Sequence, residues 1–373
     1  MRSDEVTSLD AGREYHEVTI KLWGKGIVSR GKVRGGDVVS TRRFVRANQL
    51  ILSKIDARSG AIGLVPPELD GAIVSNDFPS FDFRDIKRCD PAFIGWLIRS
   101  APFVDLCKAA SEGSTNRVRI KEDRFLEQEI VLPTPTEQQA IVARLEALSS
   151  KAQAVVSHLD AVERDAERLL ALRFFDAIGQ APRRVMTEVA PAVRRSVEID
   201  ESLKYRELGA RSFGKGLFVK PDFDGADATW QKPVWIEEGD VVLSNIKAWE
   251  GAIAIAKREH DGYIASHRYI ACVPDPTSVT AGFLTYYLLS AEGLGQIGLA
   301  SPGTADRNRT LSVFKLGSIR VPTPSIDLQR AFDRLHEYVV VLKRKHTAIR
   351  EANAALIPAT LERIFQAPDT EHA

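Results

Sequence analysis

Between Pro133 and Phe175 the chain carries one unbroken pattern. After Pro133-Thr134-Pro135-Thr136-Glu137-Gln138-Gln139 there is no further Gly or Pro. Apolar or small residues fall at Ile141, Leu145, Leu148, Ala152, Val155, Leu159, Val162, Ala166 and Leu169. Steps alternating four and three make the a/d seam of a coiled coil, with charged and amide residues between. The spacing predicts a helix of roughly 40 residues opening at Thr136 behind Pro135, a rod on the order of 60 Å long. A second seam follows Val321-Pro322-Thr323-Pro324-Ser325: Leu328, Phe332, Leu335, Val339, Leu342, His346, Ile349, Asn353 and Leu356. Leu145 to Phe332, Val162 to Ile349 and Leu169 to Leu356 share one offset of 187. A rod with one apolar seam needs a partner, so the two predict a folded-back antiparallel pair. His346 and Asn353, polar on that seam, are expected to fix register. Pro358 is expected to kink or end the second helix near Ile357.

The globular parts repeat as well. Tyr15-His16-Glu17-Val18 returns as Tyr205-Arg206-Glu207-Leu208, and Gly24-Lys25-Gly26-Ile27 as Gly214-Lys215-Gly216-Leu217. Leu52-Ser53-Lys54-Ile55 returns as Leu243-Ser244-Asn245-Ile246, and Gly113-Ser114-Thr115-Asn116-Arg117 as Gly303-Thr304-Ala305-Asp306-Arg307. Each copy mixes short β-rich runs, such as Leu50-Ile51-Leu52 and Val241-Val242-Leu243, with one amphipathic helix, about 92–110 and 281–294. The fold class is α+β: two tandem α/β globules and two long antiparallel helices, with pseudo-two-fold symmetry. The expected segments are 1–134, 135–178, 179–322 and 323–373. The copies differ at their starts, because the stretch from Val185 to Ala190 has no counterpart before Tyr15.

Composition narrows the chemistry. The chain is 44% hydrophobic and 27% charged with a net charge of +1, so any nucleic-acid face is local. Three cysteines without metal-ligand spacing, no signal-peptide core and no run of roughly 18 apolar residues predict a soluble cytoplasmic protein. No Gly-x-x-x-x-Gly-Lys-Ser/Thr phosphate loop occurs, nor an Asn/Asp-Pro-Pro-Tyr/Phe string for a flipped base. The seven histidines have neither H-x-x-x-H nor carboxylate spacing, so no metal site is expected. A catalytic reading has little to stand on.

The order globule, Pro-x-Pro-x-x-x-Gln, long helix, globule, Pro-x-Pro, long helix resembles the specificity subunits of type I restriction–modification systems. The strings that carry the likeness are Gly-Ser-Thr-x-Arg (113–117), Leu-Pro-Thr-Pro-Thr-Glu-Gln-Gln (132–139), Tyr15 to Ile27, and Ser-Lys-Ile-Asp (53–56). The resemblance covers nearly the whole chain. It implies two target-recognition domains that each read one half of a split DNA sequence, and a helical spacer that docks two methyltransferase (M) subunits. Restriction/translocase (R) subunits would be added outside. It implies a chain with no catalysis and no cofactor of its own, S-adenosylmethionine belonging to the M subunits and ATP and Mg to the motor subunits. Two departures stand out: the missing opening of the first globule, and Ser325-Ile326-Asp327-Leu328-Gln329 where the first lead-in has Glu137-Gln138-Gln139. The rival reading is a coiled-coil scaffold whose paired globules bind protein or glycan partners. A self-contained restriction enzyme is disfavoured by the missing motifs.

DNA binding needs cations for phosphates, and amides, guanidiniums or small polar groups for base edges. In the first globule the candidates are Lys25, Arg42, Arg43, Lys54, Arg58, Asn76, Arg117 and Arg119. In the second they are Lys215, Asn245, Lys247, Trp249, His267, Arg268, Arg307 and Arg309. Lys54, Arg58 and Asn76 match Asn245, Trp249 and His267, so the framework repeats while these tips vary, as base-reading tips should. For Gly24-Lys25-Gly26 and Gly214-Lys215-Gly216, turn geometry alone is the plainer explanation of the glycines. Trp230 is expected to be a core indole.

Overall fold

Leu50-Ile51-Leu52 and Val241-Val242-Leu243 have no polar face, and in the fold neither side of them meets water. Leu50 and Leu52 join a core shared with helices while Ile51 points into a second, sheet-bound core. Val241 and Leu243 likewise face the helical core of their own globule, and Val242 faces the sheet core. Alternation with period two thus places each strand between two apolar layers. A computed structural model of the chain describes residues 8–39, 42–113, 118–227, 232–303 and 309–366. Two units form, Met1–Asp160 with His346–Ala373, and Ala161–Lys345. The four expected segments regroup in this way because each globule's core takes in part of both long helices.

Each unit repeats one sheet plan. In the first, strands Ile27–Arg34, Glu14–Ile20, Ala72–Val74 and Arg43–Val45 lie side by side in that order, the middle pair parallel. In the second the order is Leu217–Val219, Glu207–Ala210, Tyr263–Ala265 and Val234–Ile236, again with the middle pair parallel. The amphipathic stretches are each broken into two helices rather than continuing as one. Pro91–Leu97 and Ala101–Ala109 part at Ser100, and Ala281–Leu289 and Ala291–Ala300 part at Ser290. Both serines take extended backbone angles and accept the N–H of a residue three positions on, so each ends one helix by capping the next.

The long helices run Pro135–Gly179 and Ile326–Phe365. In the first unit Asp160 pairs with Arg350 at 2.7 Å, Ala152 with Asn353, and Leu145 shares a core with Leu361, so the segments are antiparallel. In the second unit Glu167 pairs with Lys343 while Phe174 meets Phe332 at 5.5 Å, the same sense. The seam differs from the expectation at several places. Val155, Leu169, Leu328, Ile349 and Leu356 are exposed. Beyond Ala166 burial passes to Leu170, Phe174 and Ile178, because the helix there packs into the second globule's core as well as on its partner helix. Pro358 neither ends nor breaks the second helix, which continues to Phe365. Ile357, Leu361, Ile364 and Phe365 are held in the first core, which offsets the lost backbone bond.

The first helix starts one step earlier than Thr136. Thr134 is the cap, Pro135 takes the first helical position, and the Glu137 carboxylate returns to the Thr134 N–H (2.8 Å) and hydroxyl (2.7 Å). Those bonds hold the Glu137 carboxyl below the usual range. The next residue ties helix to globule. Gln138, fully buried, accepts the Asp90 N–H (2.9 Å) and donates to the Arg88 (2.9 Å) and Pro133 (2.8 Å) carbonyls. Gln329 does the same in the second unit, accepting from Thr280 (2.9 Å) and donating to Ser278 (3.0 Å) and Pro324 (2.8 Å). Only one amide orientation satisfies a donor and two acceptors. The departure at 325–329 is therefore one of spelling, since the glutamine keeps its place and its bonds.

The opening of the second globule is a strand, Arg183–Val185, paired antiparallel with Arg320–Pro322, followed by a short helix that buries Met186 and Val189. Among the described residues no strand pairs with 130–132, and Val131 is 79% exposed. Asn353 on the second seam donates to the Ala152 carbonyl across the helix pair at 2.9 Å. That carbonyl lies inside a helix, so losing the bond strands no buried group. Asn353→Leu is expected to change stability by less than about 1 kcal/mol, whereas Asn353→Asp, aiming a carboxylate at a carbonyl, costs about 1–2 kcal/mol. Thermal melts giving the two variants equal midpoints would contradict the contact.

Candidate nucleic-acid interface

In the first globule three distant loops are stitched by backbone bonds. The Lys54 N–H donates to the Asp77 carbonyl and the Ile120 N–H to the Lys54 carbonyl, both at 2.8 Å. This brings Lys54, Asn76 and Arg119 to one surface, and Arg43 joins them by donating to Asn76 Oδ1 at 3.2 Å. Each cation meets an acid or amide there. Lys54 Nζ lies 2.7 Å from Glu122, and Arg119 lies 2.8 Å from Asp77. Arg42 pairs with Glu17 at 2.8 Å. Arg58 is exposed on the short helix Ala57–Ser59, and Lys25 is exposed at the turn of the first hairpin.

The second globule keeps the stitching and changes the side chains. The Asn245 N–H donates to the Arg268 carbonyl (2.8 Å) and the Leu311 N–H to the Asn245 carbonyl (2.6 Å). Asn245 stands where Lys54 does, and its Oδ1 is buried with no hydrogen-bond partner among the described residues. Trp249 replaces Arg58, on the short helix Ala248–Glu250. Its indole N–H donates to the Ile246 carbonyl at 3.1 Å and its ring packs on the helical core of the second globule. Arg309 lies over that ring at 4.4 Å and Lys247 at 5.2 Å. Lys247 also bonds Glu250 at 2.6 Å, which with Ser212 holds that carboxyl below its ordinary range. His267, Arg268 and Lys215 are exposed. Arg117, Arg307 and Trp230 lie outside the described residues.

The arrangement offers cations, an amide and an aromatic platform on two copies of one scaffold. The half-exposed pair Arg119–Asp77 contributes little to stability, so its cation can exchange the carboxylate for a phosphate at small cost. Sequence reasoning missed Asp77, Glu122 and Glu250, the carboxylates that temper each tip. No spacing signal marks Asp77 and Glu122, because those loops meet only through the fold, and Glu250, three residues after Lys247, reads like any local pair of opposite charges. A cleft of about 850 Å³ in the second unit is lined by groups such as Phe174, Phe175, Phe213, Tyr286, His336 and Val340. Lys215 alone of the candidate contacts borders it, so it lies beside the interface rather than within it.

No protein-family model and no curated protein matches the chain. Solved structures do. The HsdS subunit from Thermoanaerobacter tengcongensis superposes with a TM-score of 0.64 at 21% identity, over 97% of this chain and 93% of that one. A chain from a structural study of complex assembly and conformational transition of the type I R-M system gives 0.65 at 21%, over 96% and 92%. At this identity the likeness is one of fold, and it extends over both globules and both long helices.

Proposed function

We propose that this chain is the DNA sequence-specificity subunit of a type I restriction–modification complex, each globule reading one half of a bipartite target. One observation carries the reading: a single backbone scaffold occurs twice and bears different side chains at the same loop positions, Lys54, Arg58 and Asn76 against Asn245, Trp249 and His267. A scaffold built for one shared ligand would have no use for the difference. A reader of two unlike half-sites requires it. Near-full-length likeness to HsdS structures supports the same reading. The chain would supply specificity and no chemistry. M subunits using S-adenosylmethionine would methylate, and R subunits using ATP and Mg would translocate and cut, in the cytoplasm. Among the described residues no helix is long and apolar enough to cross a membrane.

Band shifts of the chain assembled with its methyltransferase subunits, on random duplex DNA at rising salt, test this. With six to ten phosphate contacts the affinity is expected to fall by about 10³–10⁵ between 50 and 200 mM salt. Absence of any shift at low salt would leave the protein- or glycan-binding scaffold as the better account.

A further inference from the structure

The first hairpin of each globule turns through an aromatic residue followed by Gly-Lys-Gly: Trp23-Gly24-Lys25-Gly26 and Phe213-Gly214-Lys215-Gly216. Both aromatic residues sit in the left-handed region at φ 62°, where a bulky side chain is strained. Both are open to solvent, Trp23 69% and Phe213 74% exposed, so neither ring is fixed by a core. The turns themselves are rigidly placed. Trp23 and Gly24 donate their N–H groups to the Ser59 and Gly60 carbonyls (both 3.0 Å), and Phe213 and Gly214 donate to Glu250 and Gly251 (both 2.8 Å). Gly60 and Gly251, themselves left-handed, admit this approach, since a Cβ on either would lie 3.2–3.3 Å from the turn's backbone. Each aromatic is thereby bolted to the loop that carries Arg58 or Lys247 and Trp249. Exposed cations stand within two residues of each aromatic along the turn, Lys21 and Lys25 in one case and Arg211 and Lys215 in the other. Lys215 Nζ lies 5.7 Å from the Phe213 ring, while Arg211 lies over Phe218 at 4.8 Å.

A strained, solvent-facing ring on a rigid turn does nothing for the isolated fold. On a turn that also carries exposed cations, it fits a polyanion that offers flat apolar faces. We propose that Trp23 and Phe213 are wedges that press their rings against a base step at or beside each half-site, partly unstacking it. This rests on the DNA-reading function above. Rigidity suits the role, because a wedge must be fixed beforehand to offset the unstacking it causes. The aromatic contact is also insensitive to sequence, since every base has a π face. It would anchor each globule while neighbouring side chains read.

The test uses the assembled complex and duplexes carrying the sequence that the wild type selects, with 2-aminopurine placed at successive steps. Wild-type protein is expected to raise the fluorescence at one step per half-site. Trp23→Ala should abolish that signal in one half and Phe213→Ala in the other, each weakening binding by about 5- to 150-fold. The salt dependence should stay unchanged, because no phosphate contact is lost. Trp23→Gly and Phe213→Gly, which also release the strain, should weaken binding equally yet raise the melting temperature by about 2–4 °C. Wild-type affinity in the alanine variants, or no fluorescence change with bound wild type, overturns the wedge and leaves the DNA-reading function standing. Loss of complex assembly in the variants without DNA would make the rings a protein contact and overturn it too. If wild-type complex binds no duplex, the parent reading falls and the wedge with it.

Discussion

Gln138→Leu is expected to destabilise the first unit by about 3–5 kcal/mol and lower its melting temperature by about 10 °C. The substitution keeps the volume and removes every hydrogen bond. It leaves the Asp90 N–H and the Arg88 and Pro133 carbonyls facing an apolar side chain at a fully buried site. Each stranded group costs about 1–3 kcal/mol. The loss has a structural consequence beyond its size, because Asp90 caps the helix Pro91–Leu97 while Gln138 lies in the first turn of the long helix. Gln329→Leu should do the same to the second unit through Thr280, the cap of Ala281–Leu289. Gln139, one residue on and exposed, is the control, and its change to Ala should move stability by no more than about 0.5 kcal/mol. Gln138→Glu gives a sharper signature. Its carboxylate would face two carbonyls, so the folded state favours the protonated acid and raises its pKa above the unfolded value of about 4.3. Stability is then present at low pH and lost as pH rises through that raised value, so acidification should partly rescue this variant and not Gln138→Leu. Calorimetry across pH decides it, and a wild-type melt for Gln138→Leu would show that the glutamine is no latch.

The second large effect belongs to the reading surface. Asn245→Ala together with Lys247→Ala is expected to relax base preference in one half-site by about 10- to 100-fold and leave the other half unchanged. Asn245 is joined by backbone bonds to Arg268 and Leu311, so its amide has a fixed origin. Lys247 is steered by Glu250 and by the Trp249 ring. Lys54→Ala with Arg58→Ala should act on the opposite half. Lys54 spends its charge on Glu122 in the free protein, so its loss should change base preference more than the salt dependence.

How much of this was open to sequence reasoning depended on how local each cause is. The helix pair was legible, because a period of three and four over dozens of residues marks one face of each helix for burial. The duplication was legible because an almost constant offset ties Leu145 to Phe332 and Gly24 to Gly214. Helix breaks at Ser100 and Ser290 were hidden, since a serine cap within an apolar stretch reads like any small polar residue. The passage of burial from Leu169 to Leu170 was hidden because it follows from the globule that the helix meets. Gln138 stood out only as a letter in a motif, and two of its three bonds come from residues about fifty positions away. Among the candidate contacts, the equivalences Lys54 to Asn245 and Asn76 to His267 agree with the backbone stitching. The acids beside them, Glu122 and Asp77, gave no signal. The backbone angles of Trp23 and Phe213 had none either, because the Gly-Lys-Gly that follows each looks like an ordinary turn.

The measurement that bears most directly on the central claim is selection from a random-duplex library by the assembled complex, with wild-type chain, with the Asn245/Lys247 alanine pair, and with the Lys54/Arg58 alanine pair. The account predicts a wild-type consensus of two specified blocks separated by unread positions. It predicts that each variant degrades one block, a different one in each case, while the other block and the gap are retained. A single continuous block, or the same loss at every position for both variants, would contradict the claim that each globule reads its own half.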